Sequence, residues 1–251
     1  VNLPEGLLDE AAAWHPYPRA FVTVSGAHLY GFPSKDSDVD LRGMHLLPLT
    51  DVIGLETGQD TVSRMWDHRG VEADVVTHDL AKYCRLLLKR SGEVLEQVVS
   101  PLVVETSPLH EELKALVPRL VCSRHAHHYL GFSSGQWRAY ERSGRLKPLL
   151  YTFRTLITGV HLMRTGEVQA DLTALAAEYA PPYVPELIEA KVTAEHGEPP
   201  AGLVDRERVA ADVRALTARL ERERDASRLP ERPTCQREMH DLVVRVRLDG
   251  R

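Results

Sequence analysis

Two aspartates separated by one apolar residue, Asp38-Val39-Asp40, with Arg42 two positions further on, are the part of this chain best suited to chemistry. The run Val39-Asp40-Leu41-Arg42-Gly43-Met44-His45-Leu46-Leu47 reads as a strand, on which side chains at i, i+2 and i+4 share a face. Asp38, Asp40 and Arg42 then point one way, while Val39 and Leu41 point into a core. Two hard oxygen ligands beside a cation suit Mg²⁺ or Mn²⁺ carrying a triphosphate, because such ions take one or two protein carboxylates and fill the rest of their shell with phosphate oxygens and water. An Asp-x-Asp alone says little, since Asp-Ser-Asp also serves ordinary turns. The context carries the signal: an apolar run, Ala20-Phe21-Val22-Thr23-Val24, feeds a glycine turn, Ser25-Gly26-Ala27-His28, and the aspartates follow about ten residues later.

Those side chains need a sheet to hold them, and the first part of the chain supplies one. Residues 1–106 mix strands and helices: a short helix near Leu7–Trp14, strands near 20–25 and 39–47, an irregular stretch over 48–70, and a strand at Val71–Thr77. Asp79 or Thr77 caps a helix over Leu80–Arg90, Ser91-Gly92 punctuates it, and Val94–Val99 forms another that stops at Pro101. From Ser107 onward helical spacing dominates, over His110–Leu120, Cys122–Arg142, Pro148–Arg164, Asp171–Tyr179, Val184–His196, Val204–Arg224 and Pro230–Asp249. Pro-Pro pairs at 181–182 and 199–200 mark loops between helices. The expected organisation is an α/β domain over 1–106 followed by a helical domain over 107–251.

Taken together, Gly26, Tyr30, Gly31, Ser37, Asp38, Asp40, Arg42 and Gly43 resemble a pattern of small bacterial nucleotidyltransferases, G-S-x-x-Y-G followed by S-D-x-D-x-R-G, within the DNA polymerase β-like superfamily. The resemblance covers about 140 residues in pieces and is most specific over 26–43. It implies a mixed sheet with flanking helices (α+β), then a helical domain that closes the cleft and contacts the acceptor. It also implies transfer of a nucleoside monophosphate from an NTP to a hydroxyl, with release of pyrophosphate, by two Mg²⁺ or Mn²⁺ ions. The chain departs from the pattern at Ala27, where the family has a serine whose hydroxyl helps hold the terminal phosphates. Ser25 is the nearest substitute. His28 neighbours the same cradle, where it contacts the nucleotide or tolerates an unusual backbone angle.

A two-metal site wants a third carboxylate, and strand 71–77 offers Glu72 and Asp74 on one face. Asp74 is preferred, because the resemblance places the third acid on this strand shortly before the next helix. In that reading Asp38 and Asp40 hold both ions, and Asp74 binds the ion on the nucleophile side and takes its proton. The segment Leu80–Pro101 is also similar to the family, keeping Leu95-Glu96 but carrying Ser91-Gly92-Glu93 at the turn. Further on, Lys147, Tyr151 and Arg154 resemble a family segment of Lys, Tyr and Arg on a helix. With Pro148 at the first helical position, they would hold triphosphate oxygens or an acceptor phosphate. Basic side chains snorkelling over a packed face explain the same pattern equally well.

The remaining patterns bound the function. The histidines of Arg124-His125-Ala126-His127-His128-Tyr129 do not share one helix face and so make no zinc site. Three cysteines, Cys84, Cys122 and Cys235, give neither a disulfide framework nor a C-x-x-C motif. The run Arg219–Asp225 reads as a solvated helix face. No apolar run approaches the roughly 20 residues that span a bilayer, and Val1–Glu5 lacks a signal layout, so the expectation is a cytoplasmic protein without a membrane partner. A formal net charge of −5 argues against indiscriminate coating of nucleic acid. It leaves room for a local basic groove, and Arg138, Arg142, Arg145, Lys147 and Arg154 favour an RNA 3′ end as acceptor over a small molecule or a protein hydroxyl. Two rivals stand beside the enzyme: a catalytically silent nucleotide-binding or toxin–antitoxin-type partner, and an Mn²⁺-dependent nucleotide-sugar glycosyltransferase. Oligomeric state and the base of the NTP are not encoded in these patterns.

Overall fold

A computed structural model describes residues 3–35, 37–193 and 205–249. The chain forms two compact units, Val1–Gly26 with Asp38–Leu120 and Pro233–Arg251, and Ala27–Ser37 with Val121–Arg232. In chain order the elements are α1 (Leu7–Trp14), β1 (Arg19–Val24), α2 (Gly26–Leu29), β2 (Val39–His45), α3 (Thr50–Ile53), β3 (Thr61–His68), β4 (Val71–Asp79), α4 (Leu80–Leu88), α5 (Gly92–Val98), β5 (Val103–Glu105) and α6 (Pro108–Leu120). A 3₁₀ turn (Ser123–His125) precedes α7 (Ala126–Ser143), α8 (Leu146–Thr165), α9 (Leu172–Tyr179), α10 (Val184–Thr193), α11 (Arg206–Ala226) and α12 (Gln236–Asp249).

The first unit is built on a five-stranded mixed sheet in the order β3-β4-β2-β1-β5, with β2 and β4 parallel and the other neighbours antiparallel. β4 shows why the sequence makes a strand: Ala73, Val75 and Thr77 are buried while Glu72, Asp74 and Val76 face the other way, the two-residue period of a half-covered sheet. The covered face packs Val22, Val24, Val39, Leu41, Ala73 and Val75 against Leu7 and Ala11 of α1. Each of the valine and leucine side chains contributes about 1.5–3 kcal/mol on burial. Gly43 is needed where β1 and β2 meet, because a Cβ there would strike the Phe21 carbonyl.

The irregular stretch expected over 48–70 instead contains the turn α3 and the whole of β3. β3 joins β4 through Arg69-Gly70, both with positive φ (55° and 87°), the two-residue hairpin turn whose twist matches the strands. The three-residue β5 was also not anticipated, being too short to show periodicity. Asp79 caps α4, accepting from the Ala81 amide at 2.9 Å, and Ser91 caps α5.

α12 returns to the sheet unit. Arg247 donates to the Leu47 carbonyl at 2.6 Å and pairs with the nearly buried Asp79, and Arg119 of α6 donates to Glu238 at 2.7 Å. The helix expected from Pro230 begins only at Gln236, since Pro230 and Pro233 cannot sit inside it. At the end of β2, His45, together with His15 from the loop after α1, meets the Thr77 hydroxyl of β4 at 2.8 Å. His45 Nε2 donates to the Gln59 carbonyl at 3.3 Å, so its Nδ1 accepts from Thr77. Burial, with His15 beside it, pushes the His45 pKa down to about 4.

The second unit is helical. α8 is buried nearly all round and contacts α7, α9, α10 and α11, as expected of a helix that is apolar on most of its circumference. At Gly159 a Cβ would stand 2.9 Å from Leu220 of α11 and 3.0 Å from Tyr129 of α7, so the glycine sets the closeness of that packing. α8 starts at Leu146 with Arg145 as its N-cap, which puts Lys147 and Pro148 inside the first turn instead of at its edge. The expected helices 184–196 and 204–224 are α10 and α11; His196 and Val204 lie outside the described residues.

Candidate active site

The sheet brings Asp40 and Asp74 together. They occupy paired positions on the adjacent parallel strands β2 and β4, in a register that runs from Val39↔Ala73 to His45↔Asp79. Both carboxylates stand on the face away from the apolar core, 26% and 23% exposed. Glu72 lies one residue before this paired stretch and is exposed, opposite Asp67 of β3. Register therefore puts Asp74, not Glu72, next to Asp40.

Arg42 links the two acids. Its Nη2 donates to Asp40 Oδ1 at 2.7 Å and to Asp74 Oδ2 at 2.8 Å, and its Nη1 donates to the Leu41 and Asp74 carbonyls at 3.0 Å each. Strand alternation puts Arg42 beside Asp40; its reach to Asp74 needs the parallel neighbour. Asp38 lies just before β2, outside the ladder, and is half-buried.

Gly26 closes the other side of Asp40. Its φ is 60°, and a Cβ on it would fall onto the Asp40 carboxylate, so this position demands glycine twice over. The backbone is tied at the same point, Ser25 N donating to the Asp40 carbonyl at 2.8 Å. Ser25 is buried, as is Ala27 at 6% exposure, and His28 is half-buried.

Asp38, Asp40 and Asp74 are hard oxygen donors, the chemistry that Mg²⁺ or Mn²⁺ prefers, and the cradle at Gly26 keeps side-chain atoms away from Asp40. By the chemistry of the donors alone, the set suits such an ion. Among the described residues no three histidine, cysteine or carboxylate groups already converge on one point, and Arg42 engages an oxygen of each of the two paired acids.

The remaining candidates lie in the helical unit. Arg154 is 4% exposed, with its guanidinium 3.9 Å from the centre of the Tyr30 ring. Tyr151 meets Tyr30 and Phe32 edge-on, at 5.4 Å and 5.8 Å between ring centres. Lys147 is half-buried in the first turn of α8. The Tyr30-Gly31 part of the motif is held here as well: the Tyr30 carbonyl accepts from Leu172 N at 3.0 Å, and a Cβ on Gly31 would strike Asp171, the cap of α9. His125 is buried in a capping arrangement with Cys122, and burial, with Arg154 nearby, pushes the His128 pKa down to about 4.

One residue that spacing alone did not single out is Lys191 of α10, fully buried, whose ammonium donates to Ser37 Oγ at 3.1 Å and Ser34 Oγ at 3.3 Å. The available signal was a lysine in register with Val184, Leu187 and Ile188 on the apolar face of a helix.

Residues 5–245 match the family model described as RlaP, the RNA repair pathway DNA polymerase beta family. An uncharacterized protein of Methanocaldococcus jannaschii is 29% identical over 160 residues, 61% of this chain; the match spans 64% of that protein's length. Among solved structures, a nucleotidyltransferase-like protein from Exiguobacterium sibiricum 255-15 is similar over 88% of this chain and 72% of its own, at 12% identity and a TM-score of 0.32, too distant to bear on the site. Among the described residues no helix is long and apolar enough to cross a membrane.

Proposed function

The chain belongs to the RNA repair pathway DNA polymerase beta family, and we propose that it moves a nucleoside monophosphate from an NTP to a hydroxyl, releasing pyrophosphate, with an RNA 3′ end as acceptor. The family points to nucleotidyl transfer in general. The observation that carries the finer reading is the pairing of Asp40 with Asp74 on parallel neighbours, bridged by Arg42 and closed by Gly26.

Asp38, Asp40 and Asp74 would hold Mg²⁺ or Mn²⁺. When bound, the metal supplies positive charge for the phosphate oxygens and acidifies the attacking hydroxyl. Arg42 fixes the two paired carboxylates by one oxygen each, so their rotation is restrained before substrate arrives. Asp74, held through Oδ2, is the proton acceptor for the attacking hydroxyl. Gly26 lets a phosphate approach the backbone at the Ser25–His28 turn, with Ser25 the hydroxyl nearest in sequence to Ala27. Lys147 is the cation assigned to phosphate; Arg154, stacked on Tyr30, supports the motif from beneath. Arg138, Arg142 and Arg145 are all exposed on α7 and at the start of α8, and are assigned to the RNA backbone. The family's description as an RNA repair pathway agrees with that acceptor.

The grip of Arg42 on both acids, together with Ala27, favours one second reading, a silent nucleotide binder. Incubation with each α-labelled NTP, Mg²⁺ or Mn²⁺, and either a 3′-hydroxyl RNA or a small hydroxyl compound separates the two. The enzyme releases pyrophosphate only with metal and labels the RNA end. Absence of pyrophosphate, with NTP binding unchanged in Asp38→Ala/Asp40→Ala, leaves the silent binder.

A further inference from the structure

The segment that leads into the aspartates is gripped from a helix more than 150 residues away in sequence. Ser34 and Ser37 form a tight turn: Ser34 N donates to Ser37 Oγ at 2.9 Å, Ser37 N donates to the Ser34 carbonyl at 3.2 Å, and the two hydroxyls lie 3.0 Å apart. The Lys191 ammonium donates into both hydroxyls, and it lies 5.9 Å from the centre of the Phe32 ring. All of these groups belong to one compact unit.

Burying an ammonium costs several kcal/mol before its partners offset it, and an apolar side chain at this position of α10 would pack with Val184, Leu187 and Ile188 at no such cost. A lysine there makes sense where the geometry it imposes matters. That geometry is the conformation of Ser37, and the residue covalently attached to Ser37 is Asp38. Two positions later comes Asp40.

We propose that Lys191 is a positioning residue: by clasping Ser34 and Ser37 it fixes the backbone from which Asp38 is presented to a divalent metal. The inference rests on the metal-dependent reading of Asp38 and Asp40 given above. Lys191 touches neither metal nor substrate in this role. It acts through the turn, as groups behind a metal ligand do when they hold that ligand in one orientation.

The test compares wild type, Lys191→Met, Lys191→Arg and Ser37→Ala by hydrogen exchange of peptides containing Ser37 and Asp38, and by Mn²⁺ binding read from the free-ion electron paramagnetic resonance signal. Lys191→Met is expected to speed exchange at Ser37–Val39 while peptides from α8 and β4 stay protected, and to weaken Mn²⁺ binding about tenfold. Lys191→Arg should recover part of both. Where Lys191→Met does not fold, Ser37→Ala, which keeps the lysine, should give the same local signature. Unchanged exchange at Ser37–Val39, or a loss of protection spread evenly over the helical unit, overturns the proposal. Wild type that binds no Mn²⁺ refutes the metal reading instead, and the exchange contrast still decides whether Lys191 holds the turn.

Discussion

The sheet unit and the helical unit use charged side chains in opposite ways. On the sheet, Asp40, Asp74 and Arg42 lie partly exposed, on a face that Phe21, Met44, Tyr83 and His110 bury only further along, and satisfy one another across two strands. In the helical unit, Arg154 and Lys191 are buried against the 27–37 segment, the first over the Tyr30 ring and the second on the hydroxyls of Ser34 and Ser37. Where no helix covers a strand's second face, polar residues at period two report solvent or ligand. A helix surrounded by four others has no such face, so a basic residue at helical spacing serves packing as readily as binding.

The largest expected effect tests the sheet half of that contrast. Asp74→Asn should lower pyrophosphate release on the order of 10³-fold, the scale seen when a group acting on developing charge is removed, while Glu72→Gln changes it less than about twofold. Comparable losses from both would mean that strand register does not select the third acid. Next comes Arg247→Ala, which strands the nearly buried Asp79 at the start of α4 and should cost about 3 kcal/mol, read as a lower denaturant midpoint. Arg154→Met should cost about 2 kcal/mol through the lost cation–π contact with Tyr30, and leave Mn²⁺ binding near wild type. A variant that keeps its melting temperature but loses NTP binding would instead place Arg154 on the substrate.

The smallest effect is acid sensitivity. The folded pKa of His45, about 4, lies below its ordinary value of 6.5, so the unfolded chain binds the extra proton first. Stability then rises with pH between these two values and falls on acidification by about 1 kcal/mol between pH 6.5 and 5.5. Chemical denaturation across that range should show the slope, and His45→Gln should reduce it by about that amount. An unaltered slope would assign the sensitivity to other histidines such as half-buried His128, which burial likewise holds near 4.

Much of the sheet was legible in advance. The helix over 7–14 and the cores of β1, β2 and β4 follow from apolar periodicity, and Asp79 and Ser91 announce their caps. β3 was hidden, although Arg69-Gly70 between two alternating runs was a hairpin signal, because Thr61–His68 is an edge strand whose outward residues are polar or exposed. Exposed Met65 and half-buried Trp66 blur its alternation. The return of α12 to the sheet unit had no signal at all, since Arg247 and Asp79 are 168 residues apart.

The sequence by itself determined that Asp40 and Arg42 share a face and that Gly26 stands before them, because strand period and glycine's access to positive φ are local properties. Tertiary structure alone decided that strand register sets Asp74, which the resemblance had already preferred to Glu72, directly beside Asp40, that Arg42 spans both, and that the turn before Asp38 rests on Lys191. Each of these depends on which distant segment lies alongside. That choice is made by burial of one continuous core, which no local pattern records.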